Sequence, residues 1–260
     1  MKVWDVFLFN GEEKMLNFRL HELNDVVDYF VVCEGSYTFQ GKEKELIYPK
    51  IAHKFEAFKD KIIYSPCTVL HSTSSPWHNE WGQRSHAKFT LLENSRLQDE
   101  DLILISDVDE IPDAYALKQI LSWGSYSLGP RVFNMYMYYY NVECKLHGTW
   151  KGTVSIKWAE FKQLDADAQH LRNIREKLPT IANNDGVSGW HYSYFGDTKY
   201  IINKLKSFSH NEYNTEYYTD PNRIEEAIKN NKDLFGRKEA NFYKVQNESF
   251  VPKYIALLKD

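Results

Sequence analysis

The chain has 260 residues, which is long enough for one large α/β domain with a full core. Its 32 basic and 36 acidic residues nearly balance, and the formal net charge is -4. Composition therefore gives no electrostatic case for binding nucleic acid or a membrane surface. The three cysteines are odd in number and form no CxxC pair, which argues against a disulfide scaffold or structural zinc and fits a reducing compartment.

The start of the sequence leads directly into a strand-like run, and no stretch approaches eighteen uninterrupted apolar residues. We therefore expect a soluble, cytoplasmic chain with no integral membrane segment. The catalytic part of a membrane-anchored enzyme would have the same sequence features.

Aromatic residues are the outlier of the composition, with 18 Tyr, 15 Phe and 7 Trp. Aromatic faces can stack on the C–H face of a pyranose, so this enrichment fits a sugar-binding surface. It also fits a core built from bulky side chains.

Strand-like and helix-like segments alternate through the first part of the chain. The predicted strands are 3–9, 28–33 and 62–64, and the predicted helices are 12–23, 53–59 and 80–97. This alternation predicts a mostly parallel central sheet with helices on both faces and right-handed crossovers.

The central motif of the sequence is an apolar run, 102–105, that ends in three acidic residues, Asp107, Asp109 and Glu110. Four consecutive large apolar residues indicate a strand buried on both faces, and Pro112 stops it because proline has no N–H for a sheet. The acids therefore lie at a strand's carboxyl end, where open α/β sheets bind ligands.

Asp-x-Asp occurs three times, so the spacing alone does not choose a site. The pair Asp99 and Asp101 precedes the apolar run and fits a polar turn, and 165–167 fits a solvated helix face. Only Asp107 and Asp109 follow a buried strand. Paired carboxylates there can bind Mg²⁺ or Mn²⁺, although acids in an ordinary surface turn have the same pattern.

Beyond Pro112 we predict a helix at 114–121 and then antiparallel strands at 131–141 and 152–158, which would form an acceptor platform. A helix is predicted at 198–210, followed by a lysine-rich tail. We expect a single domain, 1–260, with a nucleotide-sugar half at 1–112, an acceptor and metal-completing half at 113–210, and a helical tail at 211–260. Neither GxxxxGK nor GxGxxG occurs, which leaves a metal as the natural clamp for a diphosphate.

Several blocks of the sequence resemble a known family. They are 3–12, Arg19-Leu20, Glu22-Leu23, 26–34, the motif 107–112, and Gly189-Trp190-His191 with Lys204 and Ser207. In this order they resemble glycosyltransferase family seventeen, which includes the bisecting N-acetylglucosaminyltransferase of N-glycans. The resemblance spans residues 3 to about 210.

The resemblance implies a GT-A fold and an inverting transferase that uses Mn²⁺ or Mg²⁺. It would move a sugar, N-acetylglucosamine as the best guess, from a UDP-sugar to a hydroxyl of a glycan acceptor. The site residues implied are Asp109 as metal ligand, Asp107 on the metal or its water or the donor ribose, and His191 completing the metal site. The residues implied for the donor are Phe9, Asn10, Glu34, Arg84 and Lys204.

Two residue assignments stay open at this stage. The general base could be Glu110, beside the metal pair, or Asp197, after the Gly189 block, and Glu110 could equally support the metal ligands without contacting substrate. Without the resemblance, His191 would fit a core imidazole whose nitrogens are both bonded.

The chain lacks the longer sequence that mammalian members carry between the metal motif and the Gly189 block, so a bisected N-glycan is not inherited as the acceptor. Two other functions fit the motif. A metal-dependent phosphoesterase or nucleotidyltransferase also places paired aspartates at a strand end, and a non-catalytic carbohydrate-binding protein could keep the fold and the aromatic residues.

Overall fold

A computed structural model of the chain describes residues 1–122, 129–164, 168–183, 185–246 and 248–259. Its first half contains four parallel strands in the spatial order β3-β2-β1-β4. The strands are β1 (Val3–Phe9), β2 (Tyr29–Gly35), β3 (Ile62–Cys67) and β4 (Leu102–Asp107). The helices between them are α1 (Glu13–Leu23), α2 (Tyr48–Ile51) with a 3₁₀ helix (Ala52–Phe58), and α3 (Pro76–Leu92).

The second half adds antiparallel strands to this sheet. Its elements are β5 (Glu110–Pro112), α4 (Ala114–Ser122), β6 (Arg131–Tyr139), β7 (Cys144–Leu146), β8 (Trp150–Lys157), α5 (Trp158–Gln163), α6 (Ala168–Ile174), a 3₁₀ helix (Arg175–Lys177), β9 (Thr180–Ile181), β10 (Gly189–Ser193) and α7 (Thr198–Ser207). Strand β8 runs antiparallel to both β4 and β6, and β10 lies between β6 and β5. The predicted α/β class, with a parallel sheet and antiparallel additions, is confirmed.

The third helix begins four residues earlier than predicted. Ser75 caps it by accepting a hydrogen bond from the His78 N–H, and Pro76 occupies the first turn, where its missing N–H is not needed. As a result, Trp77 lies in the first turn of the helix, ahead of the predicted start at residue 80.

The last part of the chain is less helical than predicted. It contains a 3₁₀ helix (Asn211–Tyr213), α8 (Pro221–Lys229), β11 (Phe242–Lys244) and a second 3₁₀ helix (Ile255–Leu258). Strand β11 pairs antiparallel with β7 at the sheet edge. The expectation of a helical tail is wrong in this respect, because the edge of β7 supplies unpaired backbone groups that a strand can satisfy.

Apolar side chains cover both faces of the central strands, so β1, β2 and β4 are buried on both sides. One face packs against α1 and α4, through residues such as Leu16 and Leu117. The opposite face packs against α3 and α6, through residues such as Leu91 and Leu171. Helices on both faces force the strand ends, not the sheet faces, to carry the polar groups. Within the described residues, no helix has the length and apolar content needed to cross a membrane.

Candidate active site

A cavity of about 480 Å³ opens where the carboxyl ends of β1 and β4 meet the second half of the chain. Phe9 and Asn10, at the end of β1, line it beside Asp107 and Asp109, at the end of β4. Because β1 and β4 are parallel neighbours in register, their ends deliver these residues to the same edge of the sheet.

Buried Arg19 of α1 fixes the loop that carries the acidic motif. Its guanidinium makes two bonds of 2.6 and 2.7 Å to the Asp5 carboxylate and donates to the backbone carbonyls of Asp107, Val108 and Glu110 at 3.0, 3.2 and 2.8 Å. Both Arg19 and Asp5 are fully buried. The planar fork of arginine suits this many acceptors, so Arg19 holds the turn from β4 to β5 in one shape.

Asp107 is held between two arginines. Its Oδ1 accepts from Arg84 Nη1 at 2.8 Å and its Oδ2 from Arg172 Nη2 at 2.7 Å. Burial raises the pKa of Asp107, but the adjacent guanidiniums of Arg172 and Arg84 outweigh it and hold the pKa well below its ordinary value. Since both oxygens are already engaged, this geometry favours Asp107 as an anchor for the arginines and does not support direct metal binding.

Asp109, unlike Asp107, is surrounded by a lysine and a histidine. Lys204 Nζ, on α7, lies 3.1 Å from its Oδ2, and His191 Nε2 lies 3.5 Å from its Oδ1. Burial acts to raise the pKa of Asp109, and Lys204 and His191 more than offset it, so the pKa is held well below its ordinary value. The same carboxylate raises the pKa of Lys204 against the effect of burial. Asp109 is therefore ionised at neutral pH.

The imidazole of His191 is not the fully bonded core group that its aromatic neighbours would suggest. It lies opposite Glu110 in the β10–β5 pair, which places its ring beside Asp109. Its Nδ1 is buried without a hydrogen-bond partner in the described part of the chain. Buried polar atoms without a partner are uncommon in folded proteins, and a catalytic or ligand-binding role is one of the reasons for which they occur.

Asp109 and His191 together fit a divalent metal ion that is completed from outside the protein. Among the described residues, no three or more His, Cys, Asp or Glu side chains are grouped to hold a metal. The 3.5 Å between Asp109 Oδ1 and His191 Nε2 can be spanned by one ion with ligand bonds of about 2.1 Å. Mg²⁺ and Mn²⁺ commonly take their other ligands from water and substrate phosphates.

Neither expected general base is placed for that role. The Glu110 carboxylate is fully buried and accepts from Trp150 Nε1 at 2.8 Å, Arg172 Nη1 at 2.6 Å and the Asp107 N–H at 3.2 Å. Both of its oxygens accept hydrogen bonds from the protein and it is not among the cavity-lining residues, so it is not placed to receive a proton from a substrate. Asp197 is exposed, caps α7 by accepting from the Tyr200 N–H at 2.7 Å, and is not among the cavity-lining residues.

Glu34 also lies outside the cavity lining, although its strand ends beside β1. It is fully buried and accepts from the backbone N–H groups of Ile47 and Tyr48 at 2.6 and 3.0 Å and from the Tyr64 hydroxyl at 2.9 Å. These bonds anchor the segment after β2, so Glu34 has a structural role instead of the predicted contact with a nucleotide.

Two arginines of the cavity were not predicted. Arg172 is on α6 and Arg175 in the 3₁₀ helix that follows it, and both line the cavity. Arg175 lies over the Trp150 ring at 4.6 Å, and its ion pair with exposed Glu176 is long, at 3.8 Å. Burial and the neighbouring Arg172 lower the pKa of Arg175. Two adjacent guanidiniums, one buried and one half-buried, favour an anion between or beside them. No local pattern in the sequence marks these residues.

Glu12 and a set of rings also line the cavity without having been predicted. Glu12 follows the turn after β1. The rings come from three separate segments and we call them the aromatic wall: Phe39, Trp77, Trp81, Phe208, His210 and Tyr213. The high aromatic content was the only sequence signal for them. The pair Asp99 and Asp101 is a structural turn, in which Asp101 accepts from Trp4 Nε1 and the Lys2 N–H. The third pair, 165–167, lies outside the described residues.

Solved structures give weak similarities. A 2-C-methyl-D-erythritol 4-phosphate cytidylyltransferase from Francisella tularensis matches with a TM-score of 0.37 and 8% identity, over 74% of this chain and 90% of that one. The glycosyltransferase GlyE of Streptococcus pneumoniae TIGR4 matches with a TM-score of 0.33 and 12% identity, over 76% of this chain and 46% of that one. No site residue is assigned from either.

Curated relatives match part of the chain. The human protein named beta-1,4-mannosyl-glycoprotein 4-beta-N-acetylglucosaminyltransferase is 33% identical over 110 residues, which is 40% of this chain and 20% of that protein. The protein of the same name from Rattus norvegicus is 31% identical over 118 residues, 43% of this chain and 22% of that protein. The matched segment thus spans about a fifth of each relative's length.

A family-wide comparison covers almost the whole sequence. The model of the family described as Glycosyltransferase family 17 matches residues 1–245. This match includes every segment that lines the cavity, from β1 through α7 and beyond it to Arg237. It confirms the resemblance seen in the ordered sequence blocks. The chain belongs to glycosyltransferase family 17.

Proposed function

We propose that this chain is the catalytic domain of a metal-dependent, inverting transferase that moves N-acetylglucosamine from UDP-N-acetylglucosamine to a hydroxyl of a mannosyl glycan. The donor sugar and the acceptor class are suggested by the names of the partial relatives. The observation that carries the proposal is the cavity itself, in which the pair Asp109 and His191 lies among basic side chains and shares one space with an aromatic wall.

The basic side chains of the cavity are suited to a diphosphate. Lys204, Arg172 and Arg175 all line it. Arg172 and Lys204 are each paired with one motif aspartate, whereas the ion pair that Arg175 forms among the described residues is the long one with Glu176. Charge-assisted bonds from such groups to phosphate oxygens are short and strong. The leaving UDP would be held by these residues, and no glycine-rich loop is needed.

A divalent ion held by Asp109 and His191 would supply Lewis-acid stabilisation of the charge that develops on the departing phosphate. Arg84 contributes indirectly, since it fixes Asp107 and thereby the position of Arg172.

Inversion requires a base that removes the acceptor proton while the new bond forms. In the described part of the chain, the other cavity acids are ion-paired: Glu80 with Arg84, Asp107 with two arginines and Asp109 with Lys204. Glu12 accepts a hydrogen bond from the Asn10 N–H at 2.7 Å through Oε2 and forms no ion pair there. Burial raises the pKa of Glu12, and nearby Lys204 opposes that rise. We assign Glu12 as the base.

The bond changes of the reaction then balance. The acceptor oxygen attacks the anomeric carbon as the bond from that carbon to the phosphate oxygen breaks. The acceptor proton passes to Glu12, and the bonding electrons leave with UDP, whose charge is met by Lys204, Arg172 and Arg175.

Calorimetric titration with UDP-N-acetylglucosamine tests the proposal, in Mn²⁺ and in a chelator, on the wild type, Asp109→Asn and the exposed control Asp60→Asn. We expect binding that needs Mn²⁺ and weakens by at least about 10- to 100-fold in Asp109→Asn, because loss of a group that only supports a metal ligand already has an effect of this size and Asp109 is proposed to bind the ion directly. Asp60→Asn should bind as the wild type does.

Three outcomes would count against the proposal in different ways. Absence of UDP-N-acetylglucosamine binding under every condition would reject a transferase using this donor. Equal binding in Mn²⁺ and chelator would reject the metal, leaving the arginines and Lys204 as the phosphate site. Retention of the sugar's configuration at the anomeric carbon, seen by NMR of the product, would reject inversion.

A further inference from the structure

None of the residues proposed to bind the nucleotide-sugar donor belongs to the aromatic wall. Its six rings come from the segment after β2, from the start of α3 and from the segment after α7. Trp77 is 38% exposed, which is a large exposure for a tryptophan, and the other five rings are half-buried. Exposed rings gathered in a cavity are typical of a binding surface.

Hydrogen bonds between the three segments fix the wall in place. Gln40 Nε2 donates to the Phe208 carbonyl at 2.5 Å, and Asn79 Nδ2 donates to the Phe39 carbonyl at 3.0 Å. Ser209 donates its hydroxyl hydrogen bond to the Glu80 carboxylate, which joins the segment after α7 to α3. The wall is therefore assembled before any ligand enters.

The rings also support one another. Trp77 and His210 meet edge to face with centroids 4.7 Å apart. Phe208 and Tyr213 are stacked at 6.4 Å, and Tyr213 packs on Phe235 behind it at 4.1 Å. Such contacts reduce the entropy that each ring would lose on binding a ligand.

We infer that the aromatic wall is the acceptor subsite and binds pyranose rings of a glycan. This rests on the proposed function, which requires two substrates in one cavity and assigns the charged residues to the donor phosphates. Pyranoses alternate apolar C–H faces with hydroxyls. They are matched by rings interspersed with polar groups, here Glu80 and Ser209, which are bonded to each other and whose oxygens each retain a lone pair that can accept from a sugar hydroxyl. A lipid chain would not match, because the Glu80 carboxylate lies within the wall.

Saturation-transfer NMR and steady-state kinetics test this assignment on the variants Trp77→Ala and Phe208→Ala. The control is Phe89→Ala, which removes a 63% exposed ring of the same helix that does not line the cavity. The probes are methyl β-mannoside, β-mannosyl-chitobiose, chitotriose and maltotriose. We expect at least one probe to bind the wild type, and each wall variant to raise the KM for that acceptor by about five- to tenfold.

The Kd for UDP-N-acetylglucosamine, measured without acceptor, reports the donor site separately, and the control Phe89→Ala should match the wild type in this Kd, in donor hydrolysis and in the KM for acceptor. The inference is overturned if no probe binds the wild type, or if both wall variants bind and use acceptor as Phe89→Ala does. If a probe binds at the wall but no UDP-sugar binds, the proposed function fails while the subsite stands. If the donor binds and no probe does, the subsite fails alone.

Discussion

Among single residues, Arg19 has the largest structural effect on the site although it does not line the cavity. Its guanidinium joins Asp5 to three carbonyls of the loop from Asp107 to Glu110. A side chain of different shape could not make all of these bonds. A buried pair of this kind adds little net stability but is strongly destabilising when one member is removed. Arg19 was visible in the sequence only as part of a family block.

We predict that Arg19→Lys lowers the free energy of unfolding by about 3–5 kcal/mol, because lysine cannot replace the planar fork and leaves buried acceptors unpaired. Urea unfolding measures this. The exposed control Arg96→Lys should change stability by less than about 0.5 kcal/mol. A loss of similar size in both variants would contradict the role of Arg19.

Glu12 is the residue on which the proposed chemistry depends most. We predict that Glu12→Gln lowers kcat by about 10²- to 10⁴-fold while the Kd for UDP-N-acetylglucosamine stays within a few-fold. Since the pKa of Glu12 is raised above 4.5, the wild-type rate should increase with pH as this carboxyl ionises. The variant should lack this rise. A pH–rate profile with the same acid limb in both proteins would rule out Glu12 as the base.

The same shift of pKa has a consequence for stability. A folded-state pKa above the unfolded value means that the contribution of Glu12 is largest below the unfolded pKa and is lost as pH rises through the folded pKa. Glu12→Gln is therefore not expected to destabilise the protein at neutral pH, which separates loss of chemistry from loss of fold.

At the scale of elements, α7 connects the cap residue Asp197 to the cavity residue Lys204. The sequence placed both near the site because they follow the Gly189 block, but the helix separates them. Asp197 is at the N-cap, and Lys204 lies two turns along, beside Asp109. The helix boundary is what makes Asp197 a capping residue and Lys204 a cavity residue, and the sequence alone did not distinguish these two roles.

We predict that Asp197→Ala costs about 1 kcal/mol of stability, since it removes the acceptor of the Tyr200 N–H, and that Asp197→Ser restores most of it. Thermal unfolding measures the first effect. In transferase assays, kcat of Asp197→Ala should stay within about threefold of the wild type. A fall of a hundredfold with an altered pH profile would instead make Asp197 the base.

The pairing of short strands explains the placement of His191. Strand β10 runs beside β5 with His191 opposite Glu110, so a histidine more than eighty positions from the acidic motif reaches Asp109. Both strands were too short to be recognised as neighbours from their sequences. Only the sheet register decides which side of β10 faces the cavity.

At the scale of the whole molecule, the last residues return to the first helix. Glu22 of α1 accepts from the Lys253 and Tyr254 N–H groups at 3.1 and 2.9 Å, and the rings of Trp190 and Phe250 stack at 4.6 Å. The C-terminal segment thereby connects α1 to β10, the strand that carries His191. The expectation of a separate tail from residue 211 onward did not include these contacts of the C-terminal segment with α1 and β10.

We predict that the contact between α1 and the C-terminal segment stabilises the protein in a pH-dependent way, through Glu22. Burial raises the pKa of Glu22, although both N–H groups oppose the rise, and Asp113 and Lys253 are the other charged groups nearby. The contribution of Glu22 is then greatest at low pH and declines as pH rises from 4.5 through the folded pKa. Glu22→Gln should destabilise most near pH 4 and progressively less toward pH 8. Urea unfolding at several pH values checks this, and a difference that grows with pH would contradict it.

The sequence by itself determined the order of strands and helices from β1 to β4, the two-sided burial of β4, the acids at its carboxyl end and the membership of the family. Each depends on local periodicity, turn chemistry or an ordered set of motifs, which the chain carries in consecutive residues. Only the tertiary structure decided which acidic side chains are held in hydrogen bonds and ion pairs within the protein. Glu110 and Glu34 are bonded within the core, and Glu12 lies at the cavity without an ion pair among the described residues. Arg172, Arg175 and the aromatic wall also come from distant segments, which sheet register and helix packing bring together and no local pattern encodes.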